Sequence, residues 1–473
     1  MTKGTQQLGE FDVVVIGGGP GGYVAAIKAG QLGMRTALVE KDPQPGGTCL
    51  HRGCIPTKAL LQTAHVLDLA NEGSKYGVEI GEARLDLAAA MKFKGRVVKK
   101  NAGGVEYLLK KNKVTTIHGK GSLSSSTRVA IELSDGGRGE LSGKNIVLAT
   151  GSVAARPGFL DFGSDRIITS DEALQLESLP KHITVLGAGA VGTEFASIFR
   201  SFGVEVVLVE MLPRLLPLED HDCSDELLKA LKKRKIDCRV STKLEKATPS
   251  AKHVTIELSS ADGKKETFDT DILLCAIGRW PFTDGLGLEK VGVEVEKGFV
   301  VTDADQRTSV PNIYAIGDIV GNTPLLAHAA SAEALVAVEI IAGKNPPRID
   351  PLRIPSATYC HPEVASVGLS EQKAKELGHK VKAFKFPITA LGKAGIVGAT
   401  HGFFKLVADD QFGEILGVHI IGEHATDLIA EGCALLGLES TASDLAHIVH
   451  PHPTLSEGLL EAAHGLTGGA IHI

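Results

Sequence analysis

Aromatic residues are scarce, at 4% of 473 residues with a single tryptophan. Long apolar runs are missing: no stretch approaches the roughly 18 residues of a membrane span. Met1–Glu10 is polar and has no basic region leading into an apolar run, so no secretory signal is expected and a cytoplasmic location is. Net charge is only −6, which gives no global attraction to nucleic acid or anionic lipid. Seven cysteines make an odd count and exclude a fully paired framework. In a reducing compartment a cysteine pair is catalytic or metal-binding, not a staple. What is abundant is glycine, with 55 residues. With few aromatics, that favours phosphate-binding loops and close backbone packing over an all-β secreted scaffold. At ~150 residues per domain the length suggests about three domains, or two large ones with an appended third.

One repeat organises the chain. Asp12–Glu40 reads DVVVIGGGPGGYVAAIKAGQLGMRTALVE, and His182–Glu210 reads HITVLGAGAVGTEFASIFRSFGVEVVLVE. Both have 29 residues and align without a gap at an offset of 170. Gly17, Gly19, Gly22, Gly33 and Glu40 fall on Gly187, Gly189, Gly192, Gly203 and Glu210. A lone glycine fingerprint is a weak signal; two in register are strong. The short apolar runs Val13–Ile16 and Ile183–Leu186 predict buried parallel strands. The first glycine permits a tight turn, the second lets backbone N–H groups approach a pyrophosphate, and the third lets helix and strand pack closely. The helix N-terminus then faces the phosphates. Glu40 and Glu210 end their second strands and can accept hydrogen bonds from a ribose diol.

Two such sites suggest two different dinucleotides. Met211 follows Glu210, and the first basic residue, Arg214, comes four positions on. A 2′-phosphate would face a carboxylate, a like-charge contact costing several kcal/mol. About 3 kcal/mol corresponds to roughly a hundredfold preference for NAD over NADP. Three further apolar strands end in small-residue turns: KNIVLATGS with Thr150 and Gly151, DILLCAIGR with Gly278 and Arg279, and NIYAIGD ending at Asp318. Ligands bind at the carboxyl ends of parallel strands, so these turns are expected to face a cofactor. Asp318 can bind a sugar-like hydroxyl or cap the next helix; position alone leaves both open.

Gly46–Lys58 reads GGTCLHRGCIPTK, with Cys49 and Cys54 five positions apart. On a regular helix that is ~7.5 Å of rise, while a disulfide needs Cα atoms within about 6.8 Å. A distorted backbone is therefore required if they bond, and Gly53 and Pro56 supply it. A helix through Thr57–Ala70 is expected to start here, and a helix N-terminus lowers the pKa of a nearby thiol. Lys58 lies one helical turn after Cys54, where its charge favours a thiolate or another nearby anion. No zinc-like second pair of ligands lies close in sequence, so a redox pair is favoured and no metal is expected. Cys223, Cys238, Cys275, Cys360 and Cys433 have no such context and read as fillers.

Near the other end, His447–Glu457 reads HIVHPHPTLSE. Interleaved prolines and missing Cys or acidic ligands argue against a metal at His447, His450 and His452. His452 is suited to general-base work on a thiol with a pKa near 8.5. Glu457 could orient that imidazole. The same Thr454-Leu-Ser-Glu457 also fits a capping box, and spacing favours the cap.

Taken together, the two fingerprints, GGTCLHRGCIPTK, AIGD and HPHPTLSE resemble the pyridine nucleotide–disulfide oxidoreductases, from about residue 10 to 470. Within them the chain most resembles the branch of dihydrolipoyl (lipoamide) dehydrogenases. The resemblance implies an α/β fold with two Rossmann-like dinucleotide-binding domains and a C-terminal α+β dimerisation domain. A FAD domain (1–151 and 281–350) would be split by an NAD domain (152–280), with 351–473 as the interface domain. It implies an enzyme that reoxidises dihydrolipoamide, passing electrons through a Cys49–Cys54 disulfide and FAD to NAD+.

By the same resemblance Cys54 is the charge-transfer thiol and Cys49 the interchange thiol. Lys58 and Glu194 pair beside the flavin and nicotinamide. Gly17, Gly19, Gly22, Glu40, Lys58, Thr150, Gly151, Asp318 and Ala327 serve FAD, with His328 also near the ring. Gly187, Gly189, Gly192, Glu210, Gly278 and Arg279 serve NAD. Glu457 acts on His452, which tips the balance from cap to dyad. The active histidine comes from the partner subunit, so a homodimer is implied, working with lipoyl domains and the E2-type core of 2-oxoacid dehydrogenase or glycine cleavage complexes. His51, Pro451 and Cys360 depart from the family's commoner residues, and His51 lies where it could shift the thiols. Glutathione or mycothiol reductases are the alternative, but they usually prefer NADPH, which Glu210 disfavours. Mercuric reductases carry extra C-terminal cysteines that are missing from Gly465–Ile473, and a soluble transhydrogenase would lack the full pair. A non-catalytic scaffold of the same complexes is the reading from another class.

Overall fold

The computed structural model describes residues 5–473. Met1–Gly4, part of the polar stretch read for an export signal, lie outside the described residues. The chain forms two compact units. One takes in residues up to Ala59, Met91–Ala154 and Arg279–Pro351; the other Leu60–Ala90, Ala155–Gly278 and Leu352–Ile473.

In the first unit, strand β1 (Gln6–Ile16) is followed by helix α1 (Pro20–Gln31) and strand β2 (Thr36–Glu40). β1 lies parallel between β2 and Arg138–Leu148, and Ile313–Ala315 extends the sheet beyond Arg138–Leu148. The apolar run Val13–Ile16 is almost wholly buried, as expected of a parallel strand covered on both faces. Pro20 opens α1, where its missing N–H costs nothing. The buried residues of α1 are Gly21, Gly22, Ala25, Ala26 and Ala29: Gly22 lies against the end of β1 at Gly17, and Gly21 against Ala330 of the helix Ala327–Ile341.

The second unit repeats this architecture. His182–Leu186, Ala190–Ser201 and Glu205–Val209 form strand, helix and strand in an all-parallel five-stranded sheet, with Ile272–Cys275 beside His182–Leu186. The same unit holds a five-stranded antiparallel sheet from Ser356–Thr358 to Val381–Pro387. Its core includes Phe386, Phe404, Ile420 and Leu459, all fully buried. Among the described residues no helix is long and apolar enough to cross a membrane.

Candidate functional site

The two fingerprints superpose in detail, not only in sequence. Gly17 N donates to the Val39 carbonyl at 2.8 Å, and Gly187 N to Val209 at 2.8 Å. Gly17 and Gly187 have φ of +101° and +100°, which only glycine adopts readily. A Cβ on Gly22 would lie 1.8 Å from the Gly17 carbonyl oxygen, and one on Gly192 equally close to that of Gly187. Both positions therefore require glycine for the helix to approach the strand.

Glu40 and Glu210 do more than expected. Glu40 accepts from Gly18 N at 2.6 Å and Asp42 N at 2.8 Å, and Glu210 from Ala188 N at 2.8 Å and Leu212 N at 2.9 Å. Each carboxylate braces the phosphate loop from inside and keeps lone pairs for a diol, since a carboxylate offers about four acceptor positions. Burial pushes the Glu40 carboxyl above its usual range. Arg214 is engaged with Asp225 at 2.7 Å, away from a role beside Glu210. A cavity of about 470 Å³, lined in part by Pro45, Thr116 and His118, lies in the first unit beside the first residues of the strand Thr115–Ser125, where His118 pairs with Glu40 at the end of β2. The glycine cradle, the buried carboxylate and the uncapped start of α1 fit a dinucleotide.

The other strand-end turns of the first unit converge. Ser152–Ala154 pairs antiparallel with Arg279–Pro281. Thr150 Oγ1 donates to the Phe282 carbonyl at 2.7 Å, and Phe282 N to that of Gly151 at 2.8 Å. Arg279 donates to Ser152 Oγ at 2.7 Å and to its carbonyl at 2.9 Å, and its Nε lies 4.0 Å from Asp318. The Ser152 hydroxyl also donates to Asp318. Asp318 thus sits in a short turn against Ser152 and Arg279, while Leu326 occupies the N-cap of Ala327–Ile341. Ala327 is the first residue of that helix. Sequence reasoning missed Glu333, fully buried in it, which accepts from Gly317 N and Thr323 Oγ1 and braces the loop that carries Asp318. Only its place among apolar neighbours hinted at this.

The redox pair straddles a broken helix. Cys49 lies in helix α2 (Gly47–Arg52), and Cys54 opens helix α3 (Cys54–Asn71), which contains the expected Thr57–Ala70. Gly53 breaks the helix between them with φ −143° and ψ −112°. Neither sulfur is in a disulfide, and the two thiols hydrogen-bond to each other. The bond to Cys54, then burial, hold the Cys49 thiol well above its usual range, while the charge of Lys58 works in the opposite direction. The pair retains a proton between its sulfurs instead of shedding both. His51 Nε2 lies 3.1 Å from the carbonyls of both Gln44 and Pro45. Burial pushes up the thiols of Cys223, Cys275, Cys360 and Cys433, and that of Cys238 to about 12, as suits inert fillers.

In the second unit His452 Nδ1 lies 2.8 Å from Glu457 Oε1. Thr454 N donates to the other oxygen, Oε2, at 2.8 Å. The helix opens at Glu457 with Ser456 as its N-cap, so the capping box on Thr454 does not form, and Glu457 holds the His452 ring and the Thr454 N–H together. The Thr454 bond and then His452 lower its pKa, outweighing burial, which acts oppositely. The His452 side chain is 74% exposed, with Nε2 available to accept a proton. Glu194 is buried and accepts from Tyr359 N at 3.0 Å. Gly189 has open space around it, and Gly278 takes a φ of +125°. His447 and His450 turn to other partners, the Ser443 carbonyl and Glu431.

The chain matches the family model "Pyridine nucleotide-disulphide oxidoreductase" over residues 11–334 and that family's dimerisation domain over 354–463. It is 42% identical to the dihydrolipoyl dehydrogenase of Bacillus subtilis, covering 98% of this chain and 99% of that one. It is 40% identical to the mitochondrial dihydrolipoyl dehydrogenase 1 of Arabidopsis thaliana, covering 98% and 92%. Among solved structures it resembles LpdA of Mycobacterium tuberculosis, with a TM-score of 0.88, 25% identity and coverage of 98% and 100%. It also resembles the HOCl-induced flavoprotein disulfide reductase RclA of Escherichia coli, with a TM-score of 0.86, 25% identity and coverage of 96% and 99%. With paired glycine cradles, a thiol pair on the first of them and a dimerisation domain at the C-terminal end, the chain belongs to the pyridine nucleotide-disulphide oxidoreductases.

Proposed function

We propose that this chain is a dihydrolipoyl dehydrogenase that reoxidises dihydrolipoamide at the expense of NAD+. The observation that carries the reading is the pair of hydrogen-bonded thiols across the Gly53 break. Gly17, Gly19, Gly22, Glu40, Lys58, Thr150, Gly151, Asp318 and Ala327 hold FAD; Gly187, Gly189, Gly192, Glu210, Gly278 and Arg279 hold NAD. Lys58 and Glu194 pair as the family resemblance implies. The domain division is FAD domain 1–151 and 281–350, NAD domain 152–280 and interface domain 351–473. In a homodimer the dyad of one protomer serves the thiols of the other. Lipoyl domains and the E2-type core of 2-oxoacid dehydrogenase or glycine cleavage complexes are the partners, and the location is cytoplasmic.

With the pair oxidised, Glu457 holds Nδ1–H of His452, leaving Nε2 to take the proton of a dihydrolipoamide thiol. The substrate thiolate attacks Cys49 Sγ, the Cys49–Cys54 bond breaks, and Cys54 departs as thiolate. The second substrate sulfur displaces Cys49 as its proton passes to the leaving Cys49 sulfur, which closes the lipoyl disulfide and leaves a Cys49 thiol, a Cys54 thiolate and protonated His452. The raised pKa of Cys49 keeps that sulfur protonated against Cys54 once released. Bound FAD supplies two-electron transfer between this dithiol and NAD+.

The test compares acceptors with each nucleotide. With lipoamide, NADH should exceed NADPH by roughly a hundredfold, as the Glu210 argument requires, and with NADH, lipoamide should exceed glutathione disulfide. Cys54→Ser should keep flavin and lose lipoamide turnover. Faster glutathione reduction with NADPH would point to the alternative reductases. Bound flavin with no lipoamide activity would point to a scaffold.

A further inference from the structure

Two histidines flank Pro451, and they face opposite surroundings. His452 is exposed, whereas the side chain of His450 is 5% exposed. His450 Nε2 lies 2.8 Å from Glu431 Oε1, and its Nδ1 lies 2.9 Å from the Ile448 carbonyl oxygen. A carboxylate and a carbonyl only accept. A ring with one N–H satisfies one of them; a ring with a proton on each nitrogen satisfies both, with Glu431 as its counter-charge.

The two acceptors belong to different pieces of structure. Ile448 lies in the loop that leads to His452. Glu431 lies in the helix Ala425–Gly437, whose other face buries Ile429, Gly432, Leu435 and Leu436 against the C-terminal sheet. The loop has little packing of its own: Ile448 is half exposed and Val449 is 94% exposed. The His450 ring therefore ties an otherwise exposed loop to a packed helix, two residues before the proposed base. Glu457 orients the His452 ring, but nothing in that bond fixes the backbone from which the ring projects.

We propose that His450, clamped by Glu431, is a positioning residue that fixes the 447–453 loop and so sets where His452 Nε2 meets the substrate thiol. This rests on the function proposed above and adds a second His–Glu pair to it. Displacement of a base by an ångström costs up to about a hundredfold in rate, so a partial loss is expected when the clamp is removed.

The test uses the flavin-loaded full chain. His450→Phe keeps bulk and removes both donors. It should lower kcat for dihydrolipoamide oxidation about tenfold with the KM for NAD+ unchanged, the size expected for a misplaced general base. NADH-driven ferricyanide reduction, which needs neither thiols nor base, should stay within about twofold of the parent, as for any step that the loop does not touch. His450→Gln, with one donor left for Glu431, should recover part of the loss. Glu431→Gln should act in the same direction and carries the test if the Phe variant does not fold. Unchanged kcat, or a parallel loss in ferricyanide reduction, overturns the proposal. His452→Gln is assayed alongside. Retained lipoamide activity there overturns the proposed function itself, while its loss beside fully active His450 variants overturns only this inference.

Discussion

The two halves of the repeat share a backbone and differ in what lies over it. In the first, the turn at Gly46–Gly47 closes on the phosphate loop: Gly46 N donates to the Gly18 carbonyl at 2.7 Å, and a Cβ on Gly47 would sit 2.6 Å from Gly19 Cα. In the second, Leu216 N makes the corresponding bond to Ala188 at 2.9 Å, but a Cβ on Gly189 would meet nothing within 4 Å, and Met211, Leu212 and Leu218 are exposed. One loop is enclosed by the segment that carries the cysteines; its copy is open. The same fingerprint thus suits a resident group in one half and an exchanging one in the other.

The sharpest way to break this comparison is to add the same methyl to both halves. Gly22→Ala and Gly192→Ala place a Cβ in the same clash, a cost of about 1–3 kcal/mol or more. The first should yield protein without bound flavin, read from its visible spectrum. The second should stay yellow and lose NADH-dependent turnover. Loss of flavin from both would erase the distinction.

A smaller effect tests the open half alone. Glu210→Gln removes the charge that a 2′-phosphate would meet, so the preference for NADH over NADPH should fall by about tenfold to a hundredfold in kcat/KM. An unchanged ratio would shift the selectivity to other residues. The equivalent Glu40→Gln should leave that ratio untouched.

The smallest effect contrasts the units in acid. In the second, Asp222 and Glu371 are held below their usual range, chiefly by hydrogen bonds from Lys405 and other lysines, with burial opposing. Such groups add stability above their unfolded pKa that is lost as pH falls through the folded one. In the first unit burial raises Glu40 and Glu333, so protonating them subtracts nothing, and the lowered Asp12 and Glu339 belong to surface ion pairs with Lys144 and Lys28 that contribute little. Below about pH 4.5, the ordinary carboxylate range, circular dichroism should decline before the emission of Trp280, the sole tryptophan, which lies in the first unit. Coincident transitions would make the units equally acid-sensitive.

Legibility followed distance along the chain. The two cradles, the helix break between the cysteines and the His452–Glu457 contact span a few tens of residues at most, and their spacing carried them. The choice between dyad and cap was unanswerable from spacing because spacing does not fix where the helix starts: it opens at Glu457, three residues beyond Thr454, and leaves the carboxylate to His452 and the Thr454 N–H. No spacing pattern announces that the His51 ring meets the Gln44 and Pro45 carbonyls. The buried Lys405 clasp reaches Asp220 and Asp222 at 2.9 and 2.7 Å across more than 180 residues, and no local pattern announces it.

By itself the sequence determined the repeat, its glycine positions and the chemistry of its thiols and imidazole, because steric and redox demands act on the residues nearest in the chain. Tertiary structure alone decided pairings such as that of Lys405 with Asp220 and Asp222, partners far apart along the chain. A buried acceptor must be satisfied by whatever donor the fold brings to it, and that donor is fixed by packing, not by spacing.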